Sequence, residues 1–182
     1  DQGDLMFTDC MIDCLGLEGG RTVLLPAFEP KAVNHAIREH EITLIGAVPT
    51  MLAQMLQQPD FEPSMLESLR LILYGAAPMP PTLLVRLMAM SSDLSLAPSY
   101  GKTECASTVT VLNALDHRRG GAPLQSVGRA VFCVEIDIRE PDGSTAASGK
   151  IGEIYIRCDS IMTEYWNKSE QTEASLVDGW YR

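Results

Sequence analysis

Between Arg21 and about Ala97 the chain alternates short continuous apolar runs with stretches of helical spacing. "RTVLLP" (21–26), "ITLIGAV" (42–48), "LRLILY" (69–74) and "LSLA" (94–97) have the length and unbroken apolarity of buried strands. Between them, "PKAVNHAIREHE" (30–41) predicts a helix with Val33, Ala36, Ile37 and His40 on one face. "PTMLAQMLQQ" (49–58) predicts a second, and "PPTLLVRLMAMSS" (80–92) a third with Leu84, Leu87 and Met88 inward. Strand–helix alternation with fully apolar strands is the pattern of a parallel sheet covered on both faces. After Gly120 the period changes to two. "CVEIDIRE" (133–140) sets Val134, Ile136 and Ile138 against Glu135, Asp137 and Arg139, and "KIGEIYIRC" (150–158) alternates likewise. That period predicts a half-exposed antiparallel sheet, with a turn at "PDG" (141–143). The expected architecture is therefore α/β: a parallel sheet with flanking helices over 1–120, then a small antiparallel sheet or partial barrel over 121–182, joined near 113–127.

Composition narrows the function classes. The 182 residues are 46% hydrophobic and 21% charged, enough to bury a core, and the net charge is −10. That balance excludes a nucleic-acid groove or an anionic membrane surface as the expected partner. A phosphate ligand is still open, because a few backbone amides and one metal ion can hold phosphates locally. No apolar stretch reaches the ~20 residues of a membrane span. The acidic opening "DQGDLMFTDC" has no basic leader region, which gives a cytoplasmic expectation. It also lacks an initiator Met, which gives the expectation of an internal piece of a longer protein. The five cysteines (Cys10, Cys14, Cys105, Cys133, Cys158) read as reduced thiols rather than a metal cluster.

In an open parallel sheet, ligands gather where strands end. Two such places stand out. "YGAAP" (74–78) offers Gly75, Ala76 and Ala77, small enough for a flat ligand to press on the main chain, and Pro78 to stiffen the exit. "SYGKTE" (99–104) offers an aromatic face at Tyr100, a bare backbone at Gly101, a hydroxyl at Thr103 and a carboxylate at Glu104. Its "GKT" is not the end of a nucleotide-hydrolase phosphate loop. That motif needs a glycine where Leu96 stands, and a long helix where the β-branched "ECASTVTVLN" follows. Each run also has a structural reading, as a strand-to-helix turn and as a helix start. His117 and the basic trio Arg118, Arg119 and Arg129 are expected on a solvated loop, Lys102 facing solvent, and Trp166 and Trp180 in structural packing. The methionine-rich stretch from Met51 to Met90 reads as core filler.

Seven segments in order resemble the adenylate-forming superfamily of acyl-CoA synthetases, luciferases and peptide-synthetase adenylation domains. They are 24–52, 68–84, "SYGKTE", "SVGRAV" (126–131), "GEIYIR" (152–157), "MTEYWNKSEQTEAS" (162–175) and "DGWYR" (178–182). The resemblance implies that Gly75, Ala76, Ala77 and Pro78 lie along adenine, with Ser99, Tyr100 and Gly101 beside it. It implies that Thr103 binds phosphates, that Glu104 ligates Mg²⁺, and that Val48, Pro49, Thr50, Gly75, Gly101 and Ala106 border the acyl pocket. The implied reaction joins a fatty or aryl carboxylic acid to ATP, giving an acyl-adenylate, and then to CoA. Lys102, where amino-acid-activating domains usually carry Pro, favours the CoA ligases over that alternative. The family's Gly/Ser/Thr-rich phosphate loop, its Thr-Gly-Asp and its lysine-bearing lid are not among these residues, and Glu164 replaces a usual Gly. A half-site that does not turn over ATP by itself is therefore expected, as is a non-catalytic remnant in the alternative reading. Apolar surfaces left by truncation would favour self-association.

Overall fold

A computed structural model describes residues 19–182. The first three helices among the described residues each open on a proline in the first turn, where the missing N–H costs nothing. They are α1 (Pro30–His40), α2 (Pro49–Leu56) and α3 (Pro81–Met88). Strands β1 (Leu44–Ala47), β2 (Leu71–Gly75) and β3 (Ser95–Lys102) alternate with them. All three are parallel and neighbours in chain order. The chain then reverses. β4 (Ser107–Val111) and β5 (Arg129–Ala130) add antiparallel strands to the same sheet, so the sheet is mixed rather than purely parallel and runs to Ala130. Between β4 and β5 lie the short helix α4 (Ala114–Arg119) and a 3₁₀ turn, Ala122–Gln125.

The second sheet contains β6 (Val134–Arg139), β7 (Glu153–Cys158), β8 (Leu176–Val177) and β9 (Trp180–Tyr181), in the order β6-β7-β9-β8. A helix, α5 (Ser169–Ser175), precedes β8. β6 and β7 pair antiparallel with Ile136 opposite Ile156, as the two-residue period requires. On the opposite face Arg157 donates to Glu135 at 2.5 Å. The Pro141–Gly143 turn is closed by Gly143 N–H donating to the Glu140 carbonyl at 2.9 Å.

Two cores result. The larger joins Ile37, Leu52, Met55, Leu69, Ile72, Leu87 and Leu96 between α1–α3 and the parallel strands. Full burial of such a side chain is worth about 2 kcal/mol. The smaller gathers Cys105, Val109, Ile156 and Tyr181 where the two sheets meet.

Several expectations are corrected. "RTVLLP" is not a strand: Leu24 and Leu25 are 69% and 40% exposed, and β1 is the first strand of its sheet. In α1 the buried residues are Asn34 and Ile37, because Asn34 Nδ2 donates to the Met55 carbonyl at 2.9 Å and ties α1 to α2. In α3, Leu83 and Leu87 point inward while Met88 is 40% exposed. Trp166 is 81% exposed rather than packed. Trp180 does pack, with the Arg139 and Arg157 guanidinium groups 4.9 and 4.5 Å from its ring centre. No described helix is long and apolar enough to cross a membrane. Cys105, Cys133 and Cys158 are free thiols; Cys10 and Cys14 lie outside the described residues.

The "SVG" of 126–128 has a steric explanation. Gly128 has φ +88°, and a Cβ there would fall 2.1 Å from the backbone of Val111 and Leu112. Neither the left-handed conformation nor the contact admits a side chain. Replacing Gly128 with Ala is expected to cost at least ~2 kcal/mol in urea unfolding, the sum of strain and overpacking.

Candidate functional site

The parallel register brings the two candidate stretches side by side. Tyr74 is opposite Pro98 and Gly75 opposite Ser99. "SYGKTE" is not a loop after a short strand, as its sequence suggests. Strand β3 continues through Pro98 to Lys102, and Thr103–Cys105 then forms one 3₁₀ turn. Pro98 pairs with Tyr74 of β2, one residue before the β4 pairing begins at Ser99–Val111. Its carbonyl accepts from Leu112 N–H at 3.0 Å. Between Tyr100 and Gly101 the register slips by one, leaving Val109 as the extra residue on β4. Such a bulge re-aims the strand end.

A cavity of about 530 Å³ opens at this strand end, a size typical of small-ligand sites. Gly75, Ala76, Ala77 and Pro78 form one wall, and Ser99, Tyr100 and Gly101 a second. The residues expected along adenine are thus brought together. Leu124, Gln125, Ser126 and Val127 form a third wall that sequence reasoning missed. Its only signal was "SVG", whose glycine holds the segment against β4. Thr110 Oγ1 also donates to the Val127 carbonyl there, at 2.6 Å. Tyr100 is half-buried: it lines the cavity and also packs on the smaller core. Burial, with the nearby Cys105 and Tyr181, raises its phenol pKa. Ala76 has φ +63°, a strained setting for a residue with a Cβ.

Thr103, Glu104 and Ala106 follow beyond the cavity lining. Thr103 is exposed, and its carbonyl accepts from Ala106 N–H at 3.1 Å. Glu104 is half-buried and held from the second sheet. Tyr165 Oη donates to Glu104 Oε1 at 2.5 Å, and Tyr181 Oη stands 3.4 Å from Tyr165 Oη. Met162 N–H donates to the Glu104 carbonyl at 2.7 Å. Burial pushes the Glu104 carboxyl up, but the bonds from Tyr165, its own backbone and Tyr181, with the Lys102 charge, outweigh it. The group is left below the ordinary carboxylate range and stays anionic. Lys102 is therefore not a solvent-facing bystander: its ammonium lies 4.6 Å from the centre of the Tyr181 ring. Tyr165 and Tyr181 come from "EYWN" and "DGWYR", stretches whose sequence gave no hint of this contact.

Val48, Pro49 and Thr50 stand at the end of β1, next to β2, but do not line the cavity. His117 is the largest correction. It is not on a solvated loop but 1% exposed, with Nε2 3.0 Å from Tyr74 Oη. Arg118 and Arg119 are on the same helix, one bonded to Ser95 Oγ at 3.3 Å and the other paired with Asp116 at 3.0 Å.

Two substitutions test these local accounts. Tyr165→Phe removes one charge-assisted bond at a half-exposed site and is expected to cost about 1 kcal/mol in chemical unfolding. Ala76→Gly relieves left-handed strain but frees the unfolded chain, so it is expected to change stability by no more than about 1 kcal/mol, in the stabilising direction.

The model of the AMP-binding enzyme family matches residues 7–166. Feruloyl-CoA synthase of an Amycolatopsis species is 34% identical over 165 residues, 91% of this chain and 33% of that protein. Among solved structures, the amide bond synthetase McbA of Marinactinospora thermotolerans superimposes with a TM-score of 0.78 at 34% identity, over 90% of this chain and 32% of that one. The O-succinylbenzoate–CoA synthetase MenE of Bacillus subtilis, solved with ATP and magnesium ion, gives 0.76 at 35% identity, over 90% and 33%. The chain spans about a third of the length of these relatives. A family match across most of the chain, on a fold whose strand ends converge on one cavity, places the protein in the AMP-binding enzyme family.

Proposed function

We propose that this chain supplies one side of an adenylating site, in which a carboxylic acid attacks ATP to give an acyl-adenylate and pyrophosphate. The observation that carries the reading is the single cavity of about 530 Å³ walled by both candidate stretches. Small residues at 75–77 leave room for a flat base, and Tyr100 offers it a ring face. A hydroxyl at Thr103 and an anionic carboxylate at Glu104 follow directly on the same strand end.

The donor set fits a magnesium ion. Mg²⁺ takes oxygen ligands, usually one or two carboxylates with the rest from phosphates and water. Glu104 provides such a carboxylate, ionised and fixed in place by Tyr165, and Thr103 a neighbouring hydroxyl. The ion, when bound, supplies charge neutralisation on the phosphates. The chain's own part is to orient: Tyr100 holds the base, Thr103 donates to a phosphate oxygen, and Tyr165 keeps Glu104 from swinging away.

The second half-reaction passes the acyl group to CoA. Similarity to feruloyl-CoA synthase and to fatty-acid–CoA ligases supports a thiol acceptor and an acid of fatty or aryl type. The likeness to McbA, an amide bond synthetase, supports a second reading in which an amine takes the acyl group. Offering both acceptors to the adenylating protein that carries this chain, with products identified by mass spectrometry, separates them.

Calorimetry on the 182-residue chain tests the site. AMP is expected to bind, and Tyr100→Ala to weaken it about tenfold, the loss of one base–aromatic stack. Mg²⁺ is expected to strengthen ATP binding in the wild type but not in Glu104→Gln. Full AMP affinity in Tyr100→Ala, or an unaltered Mg²⁺ effect in Glu104→Gln, overturns the assignment. The chain by itself is expected to release no pyrophosphate from ATP with any acid.

A further inference from the structure

His117 is the one ionisable side chain among the described residues that is 1% exposed, and the proposed chemistry does not use it. Its position ties two walls of the cavity together. Tyr74, its partner at 3.0 Å, immediately precedes the 75–78 wall and itself lines the cavity. The two rings meet edge to face, with centroids 6.0 Å apart and an interplanar angle of 83°. On the other side, α4 leads through Gly120 and Gly121, at φ +68° and +72°, into the Leu124–Val127 wall. One end of that wall is fixed directly, by the Thr110–Val127 bond against β4. Its other end follows from α4, which the Tyr74–His117 bond holds against β2. The two glycines between them are a natural hinge.

We propose that His117 is a positioning residue for the candidate site: bonded to Tyr74, it seats the 124–127 wall against the cavity, and it does so only as the neutral imidazole. The proposal takes the cavity as the nucleotide site, but the latch itself can be read without any ligand.

The charge requirement follows from what surrounds the ring. From β2 it meets the Tyr74 phenol, whose pKa burial pushes up to about 12, so it is no counter-ion. A second cavity of about 210 Å³ borders it, lined by Leu94, Leu96, Met88 and two serines from the α3–β3 side, with Arg118 as the charged neighbour. On its own helix, Asp116 is engaged by Asn113 and Arg119. No carboxylate lines either cavity. An imidazolium here would be buried beside a cation with nothing to balance it, a costly state. Burial accordingly lowers the His117 pKa. The contribution of the neutral ring is complete above the ordinary imidazole range and is lost as pH falls through the lowered value. The cheapest relief is local: α4 lifts, the ring reaches water, and the 124–127 wall loses its inner anchor.

Hydrogen–deuterium exchange on the 182-residue chain, normalised to intrinsic amide rates, tests this at about pH 8 and about pH 5. The reporters are the Leu124 and Ser126 amides, which donate to the Gly121 and Pro123 carbonyls at 3.1 and 3.0 Å. Both are expected to lose several-fold protection at the lower pH, while β2 and β3 amides do not. The midpoint should coincide with the NMR titration of the His117 ring. His117→Gln, a neutral amide of similar reach, should keep the wall closed at both values. Unchanged protection in the wild type overturns the proposal. So does a midpoint away from the His117 titration, or the same acid loss in a folded His117→Gln. If that variant does not fold, the wild-type profile and its midpoint decide. Adenosine binding by calorimetry separates this from the nucleotide reading. If adenosine fails to bind at either pH while exchange behaves as expected, the nucleotide reading falls and the latch stands. If adenosine binds and the wall does not respond to pH, the latch falls and the reading stands.

Discussion

The pairing of β2 with β3 is the constraint on which the rest depends. With Gly75 opposite Ser99, the two strands end level and their exits share one cavity. A slip of one residue would turn every side chain to the other face. Were β2 to slip, Ile72, now opposite Leu96 in the larger core, would leave it, and Tyr74 would point away from His117. The hydrophobic pattern thus does two jobs through one register: it fills the core, and it aligns the small residues of one strand exit with the aromatic residue of the next.

A second join follows from where β3 stops. The Thr103–Cys105 turn lies between the sheets, with Thr103 exposed and Cys105 in the smaller core. Ser160 Oγ donates to the Cys105 carbonyl at 3.0 Å and Met162 N–H to the Glu104 carbonyl at 2.7 Å. Both bonds come from the segment after β7, so the second sheet fixes the backbone of the turn, while Tyr165 fixes the Glu104 side chain. The small antiparallel sheet is therefore part of the site's construction and not an appendage to the parallel one.

What was legible in the sequence was what periodicity encodes. The apolar runs at 42–48 and 69–74, the three proline-started helices and the alternating 133–140 and 150–158 segments emerge as elements close to their expected bounds. "YGAAP" and "SYGKTE" were legible as ligand-facing because small and aromatic residues at strand ends have few structural uses together. The failures share a cause. "RTVLLP" has the composition of a strand but no pairing partner beyond β1, and pairing is not local. β3 runs on past the expected "LSLA" to Lys102, where it pairs with β4, which lies later in the chain. His117, Lys102 and Tyr165 were misjudged or missed because their partners lie 43, 79 and 61 residues away in sequence. Buried polar residues are placed by tertiary contacts that no window of sequence contains.

The charge of the chain adds a last constraint. In the proposed reading a nucleotide polyphosphate would approach a chain of net charge −10, and Glu104 is held below the ordinary carboxylate range beside the proposed phosphate position. Two unit charges at 4 Å repel by about 1 kcal/mol even in bulk water, and by more at a half-buried site. A carboxylate held ionised by a phenol is an obstacle to phosphate alone and an asset once a divalent cation stands between them. In that reading the Tyr165–Glu104 bond would favour metal-bound nucleotide over free nucleotide. That preference would be set by the second-sheet region, which carries Tyr165, while the base would be received by the first sheet.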